Sequence, residues 1–535
     1  MLRMTRYFIL DLVILLAGIF AALGHWYDAA YYWPLVVLLP LCLVGAYDLT
    51  QRRHSILRNY PLIGHIRFLL EAIRPEIRQY IVESDRDPVP FSREERSVVY
   101  RRAKNVVDKQ PFGTVLDVDA PGYGWFSHSI RAIEIKEPNF RITIGGPDCA
   151  QPYSASILNI SGMSYGAISP NAIRALNKGA KMGDFSHDTG EGSISRYHRQ
   201  FGGDIVWQVA SGYFGCRTKD GQFDPDAFAK TATASQVKMI EVKLSQGAKP
   251  GHGGVLPRAK ISPEIARARG VSRDRDCVSP PSHSAFTTPL EFMSFIAQLR
   301  KLSGGKPVGF KLCVGHRYEF LAMVKAMLES GVTPDFIVVD GKEGGTGAAP
   351  VELTNHVGLP LIEGLVFVRD ALIGAGLRDK IKLGASGKLI TAFDMCRALA
   401  LGADYILSAR GFMFALGCIQ SRSCHTNNCP TGVATQNWLR QNALVVSDKA
   451  VRVANFHKNT LRAIADVLSA AGLSHPSELR PRHLHLRLQT GAVMHGRDAY
   501  PAPKPHSLLD GTAEGFLARE WNRAQAASFH PTTEY

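Results

Sequence analysis

From about Gln110 onward, short apolar runs alternate with helical patterns, and this alternation restricts the fold more than any other feature of the chain. Helical patterns such as Pro289–Leu302, Glu319–Ser330 and Ile390–Leu401 separate runs that read as buried parallel strands. The predicted strands are Ser156–Ile160, Val308–Leu312, Phe336–Val339, Ile381–Leu383 and Tyr405–Leu407. Alternation of this kind is typical of βα units around a parallel sheet.

Small and polar residues follow several of these strands, as in Asp340-Gly341, Gly384–Gly387 and Ala409–Gly411. A (β/α)8 barrel carries its active-site loops at the carboxyl ends of its strands and often binds phosphate after the late ones. A doubly wound sheet would be expected to carry a G-x-G-x-x-G turn after its first strand, and no such turn is found in that setting. The sequence therefore predicts an α/β fold of the (β/α)8, or TIM barrel, type.

Three cysteines, Cys418, Cys424 and Cys429, lie within twelve residues in the stretch GCIQSRSCHTNNCPTGVATQ. Thiolates this close repel one another unless a metal centre neutralises them, and a cysteine cluster that ends in Cys-Pro is common around iron–sulfur centres. Three ligands suit a cluster that lacks one iron. The alternative is three unrelated thiols, or one disulfide and a spare.

The other six cysteines are scattered without regular spacing. This distribution argues against a disulfide framework and for a reducing compartment.

Two apolar runs near the amino terminus, Phe8–Gly24 and Tyr31–Ala46, approach the length of about 17–25 residues that a membrane-spanning helix needs. Aromatic residues cluster at the loop between them, as is usual at a membrane interface: Trp26, Tyr27, Tyr31, Tyr32 and Trp33. The pattern predicts a transmembrane helical hairpin over residues 1–50.

The orientation of this hairpin follows from its flanking arginines. Arg3 and Arg6 precede the first run, Arg52 and Arg53 follow the second, and the loop His25–Ala30 has no Lys or Arg. By the positive-inside rule both ends face the cytoplasm, so we expect a protein of the cytoplasmic membrane with its catalytic domain on the cytoplasmic side. A cleaved signal peptide is the alternative, which the second run disfavours.

The net charge is +15, and much of it comes from an arginine-rich segment between Arg52 and Lys104. Such charge can attract lipid headgroups, an acidic protein or nucleic acid. No nucleic-acid-binding motif accompanies it, so membrane lipid and an acidic electron donor are the expected partners. An ordinary solvated surface is the alternative.

Five segments together resemble the FMN-binding synthase domain of glutamate synthases, and they occur in that family's order. They are SGMSYGAIS (161–169), HDTGEGS (187–193), IEVKLSQGAKPGHGGVLP (240–257), DGKEGGTGAAP (340–350) and the C-x5-C-x4-C loop at 418–429. The resemblance runs from about Ser156 to about Leu473. It implies a bound FMN and a [3Fe–4S] cluster on the three cysteines.

The expected organisation has four parts. Residues 1–50 form the hairpin, 51–150 a basic juxtamembrane and barrel-entry region, 151–475 the FMN-binding barrel, and 476–535 a C-terminal extension.

The resemblance also implies roles for charged residues. Lys243 and Lys249 are expected to face the flavin and the substrate carboxylates, Arg269 to bind a carboxylate, and Glu191 to carry a proton. Met163 is expected at both the flavin and the substrate.

Flavin contacts are expected from residues that follow strands. Ser164 and Ser169 are expected to flank the ring, while glycine-rich turns let backbone N–H groups approach the cofactor and its phosphate. The residues of these turns are Gly344, Gly345, Thr346, Gly347, Gly384, Ser386, Gly387, Lys388, Ala409, Arg410 and Gly411.

The chain departs from the family pattern GAKPGEGGQLPG at His252, Val255 and Arg258. It also reads GEGS where the family has GEGG. The glutamine replaced by Val255 contacts the substrate in the family, so this position indicates a changed pocket.

The expected activity is reductive amination of 2-oxoglutarate to L-glutamate. The first cysteine of the chain is Cys42, in an apolar run, so no glutaminase nucleophile is expected, and ammonia would come from solution or another polypeptide. Electrons would come from a ferredoxin-like protein or an NADPH-oxidising subunit.

Two other functions stay open. One is an FMN and iron–sulfur oxidoreductase that acts on another small amino or imino acid and exchanges electrons with a membrane quinone. The other is an electron-transfer subunit without catalysis of its own. A homo-oligomer is compatible with either.

Overall fold

The computed structural model describes residues 7–51, 54–82, 84 and 90–533. The chain divides into two compact units, Met1–Arg93 and Glu94–Tyr535. Arg3, Arg6, Arg52 and Arg53, on which the predicted orientation depends, lie outside the described residues.

The first unit contains the two predicted apolar segments as helices, Phe8–Trp26 and Leu35–Thr50, joined by a short 3-10 turn at Ala29–Tyr32. Most of their apolar side chains are exposed, with Leu15 at 59% and Leu43 at 72% of full exposure. The spans Phe8–Trp26 and Ala29–Thr50 are long and apolar enough to cross a membrane, although an amino-terminal signal sequence has the same properties. Helices Ser55–Asn59 and Gly64–Ile77 and a π-helical turn, Arg78–Val82, follow.

The second unit is built on a closed barrel of eight parallel strands. In chain order they are β1 (Leu158–Ile160), β2 (His187–Asp188), β3 (Ile205–Val209), β4 (Val237–Lys243), β5 (Val308–Leu312), β6 (Phe336–Asp340), β7 (Lys382–Ser386) and β8 (Tyr405–Ser408). Each strand pairs with the next, and β8 pairs with β1 to close the ring. The predicted (β/α)8 barrel is confirmed.

Helices of the second unit connect these strands and extend beyond them. They are Arg93–Ala103, which begins at the boundary, Pro170–Gly183, Arg196–Arg199, Pro225–Ala232, Pro263–Arg269, Pro289–Leu302, Arg317–Ser330, Val351–His356, Leu361–Gly374, Ala392–Ala400, Arg410–Leu416, Trp438–Asn442, Val446–Ala470, Gly496–Ala499 and Gly515–Arg523. The predicted helix Pro289–Leu302 has the predicted bounds because Thr288 and Glu291 form a capping box at its start.

Three barrel strands, β2, β3 and β4, were not predicted from the sequence. Asp188, Gln208 and Glu241 interrupt their apolar pattern and are nevertheless buried. The predicted strand Ser156–Ile160 is in fact two, because Tyr153–Ser156 pairs with Arg141–Ile144 outside the barrel and β1 begins only at Leu158.

The C-terminal residues build onto the barrel unit. Leu484–Arg487 pairs with Gly124–Phe126 on one side and Val493–His495 on the other. Farther along, the Leu508 N–H donates to the Gly374 carbonyl over 3.0 Å, and Lys325 Nζ donates to the Ala524 carbonyl over 2.8 Å.

A buried carboxylate ties the amino-terminal end of the barrel together. Asp335, just before β6, accepts hydrogen bonds from the Arg300 guanidinium at 3.0 and 3.2 Å and from the Val308 and Gly146 N–H groups at 2.8 and 2.6 Å. The Asp335 and Arg300 side chains are only 1% and 8% exposed. One side chain therefore joins three separate segments.

Asp335→Ala is expected to lower the free energy of unfolding by about 3–5 kcal/mol, because it leaves the Arg300 guanidinium buried without its carboxylate. Urea unfolding of the detergent-solubilised chain measures this loss. Asp148→Ala is the matched control, since Asp148 lies 3.9 Å from the same guanidinium but is 60% exposed. It should cost at most about 1 kcal/mol, and equal losses in the two variants would contradict the assignment.

Candidate active site

The residues predicted to carry chemistry lie in loops that follow the barrel strands. Parallel strands place all their carboxyl ends at one end of a barrel, so loops distant in sequence meet there. Glu191 follows β2, Lys243 ends β4, and the glycine-rich segment 341–347 follows β6. The structure brings these segments together at one mouth of the barrel.

An ion pair between Glu191 and Lys243 lies at this mouth. Lys243 Nζ is 3.0 Å from Glu191 Oε2 and donates to Gln246 Oε1 over 2.6 Å. The Glu191 and Lys243 side chains are 13% and 10% exposed. The loop after β4 closes over the carboxylate so tightly that a Cβ at Gly254 would lie 1.9 Å from Glu191 Oε1. A larger residue there would displace the Glu191 carboxylate.

Lys249 lies beside this pair and is 3% exposed. Its Nζ donates to the Ala348 carbonyl over 3.3 Å, which links the loop after β4 to the loop after β6. Burial lowers the pKa of Lys249 to about 8, against the attraction of Glu191, with repulsion from Lys243 and Arg269 adding to the decrease.

Glu191 responds in the opposite sense. Burial alone would raise its pKa, but the attraction of Lys243, Lys249 and Arg269 outweighs burial and lowers the pKa to about 2. The site therefore has more positive than negative charge, and Glu191 remains a carboxylate at neutral pH.

Arg269 closes the helix Pro263–Arg269 and is 4% exposed. Its Nη2 donates to the Tyr165 carbonyl over 2.9 Å, and its guanidinium lies 5.0 Å from the centre of the Phe214 ring. The Arg269 Nε is buried without a hydrogen-bond partner among the described residues. The structure thus places Arg269 against the loop that follows β1.

That loop contains the three residues predicted to flank a flavin ring. Met163 is buried. Gly190 lies close to the Ser164 backbone, so that a Cβ at Gly190 would be 2.5 Å from the Ser164 nitrogen. Ser169 is fully buried, and its hydroxyl accepts from the Ala172 N–H over 3.1 Å as the cap of the helix Pro170–Gly183. The Ser169 side chain is therefore engaged in helix capping.

The glycine-rich loop after β6 lies across Arg410. A Cβ at Gly345 would be 2.9 Å from Arg410 Cδ, and Arg410 Nη2 donates to the Glu343 carbonyl. Gly344 donates its N–H to the Gly341 carbonyl over 2.8 Å, and the Thr346 hydroxyl donates to the Ala348 carbonyl over 3.3 Å. A Cβ at Gly347 would lie 3.9 Å from Ala167 Cβ, an ordinary contact distance.

The loops after β7 and β8 contain the predicted phosphate-binding residues. Ser386 Oγ lies 3.4 Å from Ser161 Oγ, and Gly387 (φ +144°) and Lys388 (φ +55°) turn the chain immediately afterwards. Ala409 precedes the helix Arg410–Leu416, and burial lowers the pKa of Arg410 to about 10.

Two of the predicted glycines have packing roles in this region. A Cβ at Gly384 would lie 2.7 Å from the Tyr405 ring, and one at Gly411 would lie 2.6 Å from Ser408 Oγ. Both allow close approach of neighbouring strands and loops.

The barrel interior contains a polar network that the sequence analysis missed. Gln208 Nε2 donates to Glu241 Oε1 over 2.6 Å and to Asp188 Oδ2 over 3.3 Å. Lys311 Nζ is 3.0 Å from Glu241 Oε1 and 3.8 Å from Asp188 Oδ2. These four side chains extend from β2, β3, β4 and β5 and are all buried. Their signal in the sequence is a polar residue inside an otherwise apolar strand.

One acceptor atom in this network has no hydrogen-bond donor. Burial and the neighbouring Glu241 raise the pKa of Asp188 to about 8, against the attraction of Lys311. Glu241 Oε2 is buried and has no partner among the described residues. A buried acceptor without a donor is costly, so a ligand with an N–H group would stabilise this end of the barrel.

The three clustered cysteines lie in the loop after the helix Arg410–Leu416. All three are free thiols, and Cys429 is 4% exposed. Within the described ranges, no three His, Cys, Asp or Glu side chains converge on a point that could hold one ion. A multi-iron cluster binds each cysteine at a separate iron and does not require such convergence.

Hydrogen-bond donors lie near two of these sulfurs. The Gln420 N–H lies 3.4 Å from Cys418 Sγ, and the Thr431 hydroxyl lies 3.5 Å from Cys429 Sγ. Burial would raise the pKa of Cys429, but hydrogen bonds from Thr431, Val433 and Ala434 outweigh it and lower the pKa. Hydrogen bonds to sulfur are a normal feature of iron–sulfur ligands.

Lys260 joins the cysteine loop to the loop after β1. Lys260 is 2% exposed. Its Nζ donates to the carbonyls of Ala167, Cys424 and Ala434 over 2.5, 3.2 and 3.3 Å. Lys260 was not predicted as a functional residue from the sequence, because its partners lie in distant segments.

The three departures from the family pattern lie in the loop after β4. His252 Nδ1 is 2.8 Å from the Gly253 carbonyl, and Val255 lies in a two-residue strand that pairs with Cys277–Val278. The Arg258 N–H donates to Asp276 over 2.7 Å.

Comparison with known proteins gives a consistent family assignment. A family model described as the conserved region in glutamate synthase matches residues 135–474, more than half of the chain. The glutamate synthase large subunit-like protein YerD of Bacillus subtilis is 38% identical over 502 residues, which cover 86% of this chain and 95% of that protein. An archaeal NADPH glutamate synthase of Methanocaldococcus jannaschii is 34% identical over 329 residues, 61% of each protein.

Among solved structures, a mutant flavocytochrome b2 with pyruvate bound aligns over 89% of this chain and 96% of its own. The TM-score is 0.40 and the sequence identity 16%.

Proposed function

The chain belongs to the glutamate synthase family, and from that premise we propose that it catalyses reductive amination of 2-oxoglutarate to L-glutamate at a bound FMN. It is an oxidoreductase of the glutamate synthase type, acting on the CH–NH2 group. The observation that carries the substrate proposal is the buried charge cluster at the barrel mouth, where Lys249 and Lys243 surround Glu191.

The residues at the barrel mouth fit an FMN. The glycine-rich loop after β6 and the turns after β7 and β8 provide backbone N–H groups, with Lys388 and Arg410 as the cations nearest in sequence for a phosphate. The unsatisfied Glu241 Oε2 would accept a hydrogen bond from an N–H group of the ring. When bound, FMN supplies hydride for the carbon of an imine formed from 2-oxoglutarate and ammonia.

The charge cluster fits a dicarboxylate substrate. Lys249 and Lys243 present two cations to the mouth, and the Glu191 carboxylate opposes them. Burial, and then repulsion from Lys243 and Arg269, lower the pKa of Lys249, and an anionic substrate would offset that repulsion. The Arg269 guanidinium, which donates to the Tyr165 carbonyl, adds to the positive potential of the site.

The electrostatics favour Lys249 over Glu191 as the proton donor. A useful acid has a pKa near the working pH, and the pKa of Lys249 is about 8 whereas that of Glu191 is about 2. In this assignment Glu191 acts as a fixed negative charge that holds both lysines in place.

The cysteine loop is the proposed holder of a [3Fe–4S] cluster on Cys418, Cys424 and Cys429. The cluster would accept single electrons from an external donor, either a ferredoxin-like protein or an NADPH-oxidising subunit. The N–H groups around Cys418 and Cys429 and the buried Lys260 would stabilise the negative charge of its sulfurs.

Isolated protein is expected to contain about one FMN and one three-iron cluster per chain, because the loop offers three cysteines. Cys424→Ser should abolish the cluster signal in electron paramagnetic resonance and reduce the iron content. Cys149→Ser is the control, since this thiol lies outside the cysteine loop and donates to the Gly305 carbonyl over 3.4 Å. Full iron loading in the Cys424 variant would count against the assignment.

Lys249→Ala should weaken 2-oxoglutarate binding roughly ten- to a hundredfold while FMN stays bound, because one charge-assisted hydrogen bond is worth about 1.5–3 kcal/mol. Lys249 is protonated below its pKa of about 8, so binding by the unchanged protein should weaken as the pH rises through 8. Lys249→Arg should move that loss to higher pH, and Val255→Gln should be neutral or helpful. Calorimetric titration measures each affinity.

Lys306→Met is the matched control for this experiment. Lys306 is also a buried lysine with a pKa lowered to about 8 by burial, but it precedes β5 at the opposite end of the barrel. Its replacement should leave 2-oxoglutarate affinity unchanged. Unaltered binding by the Lys249→Ala variant would remove the basis of the substrate assignment.

The changed position Val255 favours a second candidate, an oxidoreductase for another small amino or imino acid that exchanges electrons with a membrane quinone. Val255 places an apolar side chain where the family pattern has glutamine. The two candidates differ in one reaction. The reduced protein would ignore 2-oxoglutarate with ammonia and be reoxidised by a quinone or another imino acid if the second is correct.

The helices Phe8–Trp26 and Leu35–Thr50 are the proposed membrane anchor, with the barrel on the cytoplasmic side. Their exposed apolar side chains favour lipid as the surrounding medium. The full chain is expected to stay in membranes washed with high salt, while a chain that starts at residue 51 should be released. Recovery of the full chain in the salt wash would rule out an anchor.

A further inference from the structure

An exposed apolar pair lies next to the cysteine loop. Trp438 and Leu439 begin the short helix Trp438–Asn442 and are 67% and 73% exposed, and Val445 beyond them is 55% exposed. Tryptophan is among the residues that contribute most to protein interfaces, and grouped exposed apolar side chains mark interaction surfaces.

This short helix is packed directly on the residues around Cys429. The Arg440 guanidinium donates to the Asn428 carbonyl over 3.4 Å. Gly432 approaches the helix so closely that a Cβ there would lie 2.4 Å from the Arg440 carbonyl oxygen. The exposed pair therefore belongs to the layer of chain that covers the cysteine loop.

Exposed basic residues occur in the helix of the apolar pair and in the cysteine loop. Arg422 and Arg440 are exposed on the same stretch. Asn171 donates to the Gln441 and Leu444 carbonyls over 3.1 and 3.4 Å and accepts from Arg174 over 3.2 Å, which connects the helix to Arg174.

Arg174 extends the basic region farther. It donates to Gln200 over 2.8 Å and, with Arg196 and Arg199, lines a shallow cavity of about 490 Å³. Among these arginines, Arg196 forms an ion pair with the acidic side chain of Glu264 at 2.8 Å. The region keeps an excess of positive charge.

We propose that this surface, formed by Trp438, Leu439, Arg440, Arg422, Arg174 and Arg199, docks an acidic electron-transfer protein beside the cluster. The inference rests on the proposed function, because it requires a cluster on the three cysteines. Complementary charge orients and accelerates such encounters, and the apolar pair gives the complex a desolvated centre. The partner is oxidised by one electron per encounter, so two encounters supply the two electrons of one hydride, and its proton is taken up from water.

The test uses the detergent-solubilised full chain with its cofactors and a photoreduced acidic [2Fe–2S] ferredoxin as the probe. Anaerobic stopped-flow absorbance follows bleaching of the flavin. Leu439→Ser and Trp438→Ala should slow reduction by the ferredoxin about five- to tenfold. Arg199→Glu should slow it at least about tenfold at low salt and reduce its salt dependence. Arg199 is chosen because it does not contact the cysteine loop.

Lys380→Glu is the matched charge control. Lys380 is exposed just before β7, at the opposite end of the barrel, so the same charge reversal there should leave the ferredoxin rate within about twofold. Dithionite, a small reductant that needs no docking surface, should reduce all variants at the rate of the unchanged protein.

The outcomes separate this inference from the proposed function. A cluster signal and normal dithionite reduction, with ferredoxin rates unchanged in the three surface variants, would overturn the docking surface alone. Absence of the cluster signal from the unchanged protein would overturn the proposed function as well. If Trp438→Ala altered only retention in membranes or self-association, the surface would belong to lipid or a second copy, and the inference would be wrong.

Discussion

The buried ion pair between Lys311 and Glu241 is the interaction on which the barrel mouth depends. Lys311 Nζ is 3.0 Å from Glu241 and 3.8 Å from Asp188, and all three residues are buried. Removal of one partner from such a network leaves a buried charge, at a cost of about 3–5 kcal/mol. The network thereby holds β2, β4 and β5 in the register that brings Glu191 and Lys243 together.

The charge cluster above this network shows how the surroundings of a side chain in the barrel set its pKa. Lys249 loses proton affinity because burial and two neighbouring cations outweigh one carboxylate, whereas Glu191 is surrounded by three cations and stays ionised. Neither property belongs to the residue alone. Each follows from loops that are distant in sequence and meet only because the strands are parallel.

Much of the fold could be predicted from the sequence, but the barrel interior could not. The predicted strand Phe336–Val339 was found because continuous apolar residues reveal a strand buried on both faces. The strands β2, β3 and β4 were missed because Asp188, Gln208 and Glu241 form hydrogen bonds with one another across the barrel, and no local pattern shows that.

The role of Lys260 could not be predicted for the same reason, because its partners lie in three separate segments. At the site, the family motifs identified Lys243, Lys249 and Glu191, which the structure brings together. They did not show that Ser169 caps a helix.

Lys260 explains how two neighbouring loops can keep a fixed separation. Its ammonium group is buried and bound to three carbonyl oxygens, one from the loop after β1 and two from the cysteine loop and its continuation. A buried cation needs these acceptors, so neither loop can move without leaving the charge unsatisfied. Because Ala167 belongs to the segment proposed to flank the flavin and Cys424 to the proposed cluster loop, a single side chain ties the two proposed redox sites together. Rigid spacing of this kind suits electron transfer between fixed centres better than it suits a loop that opens for substrate.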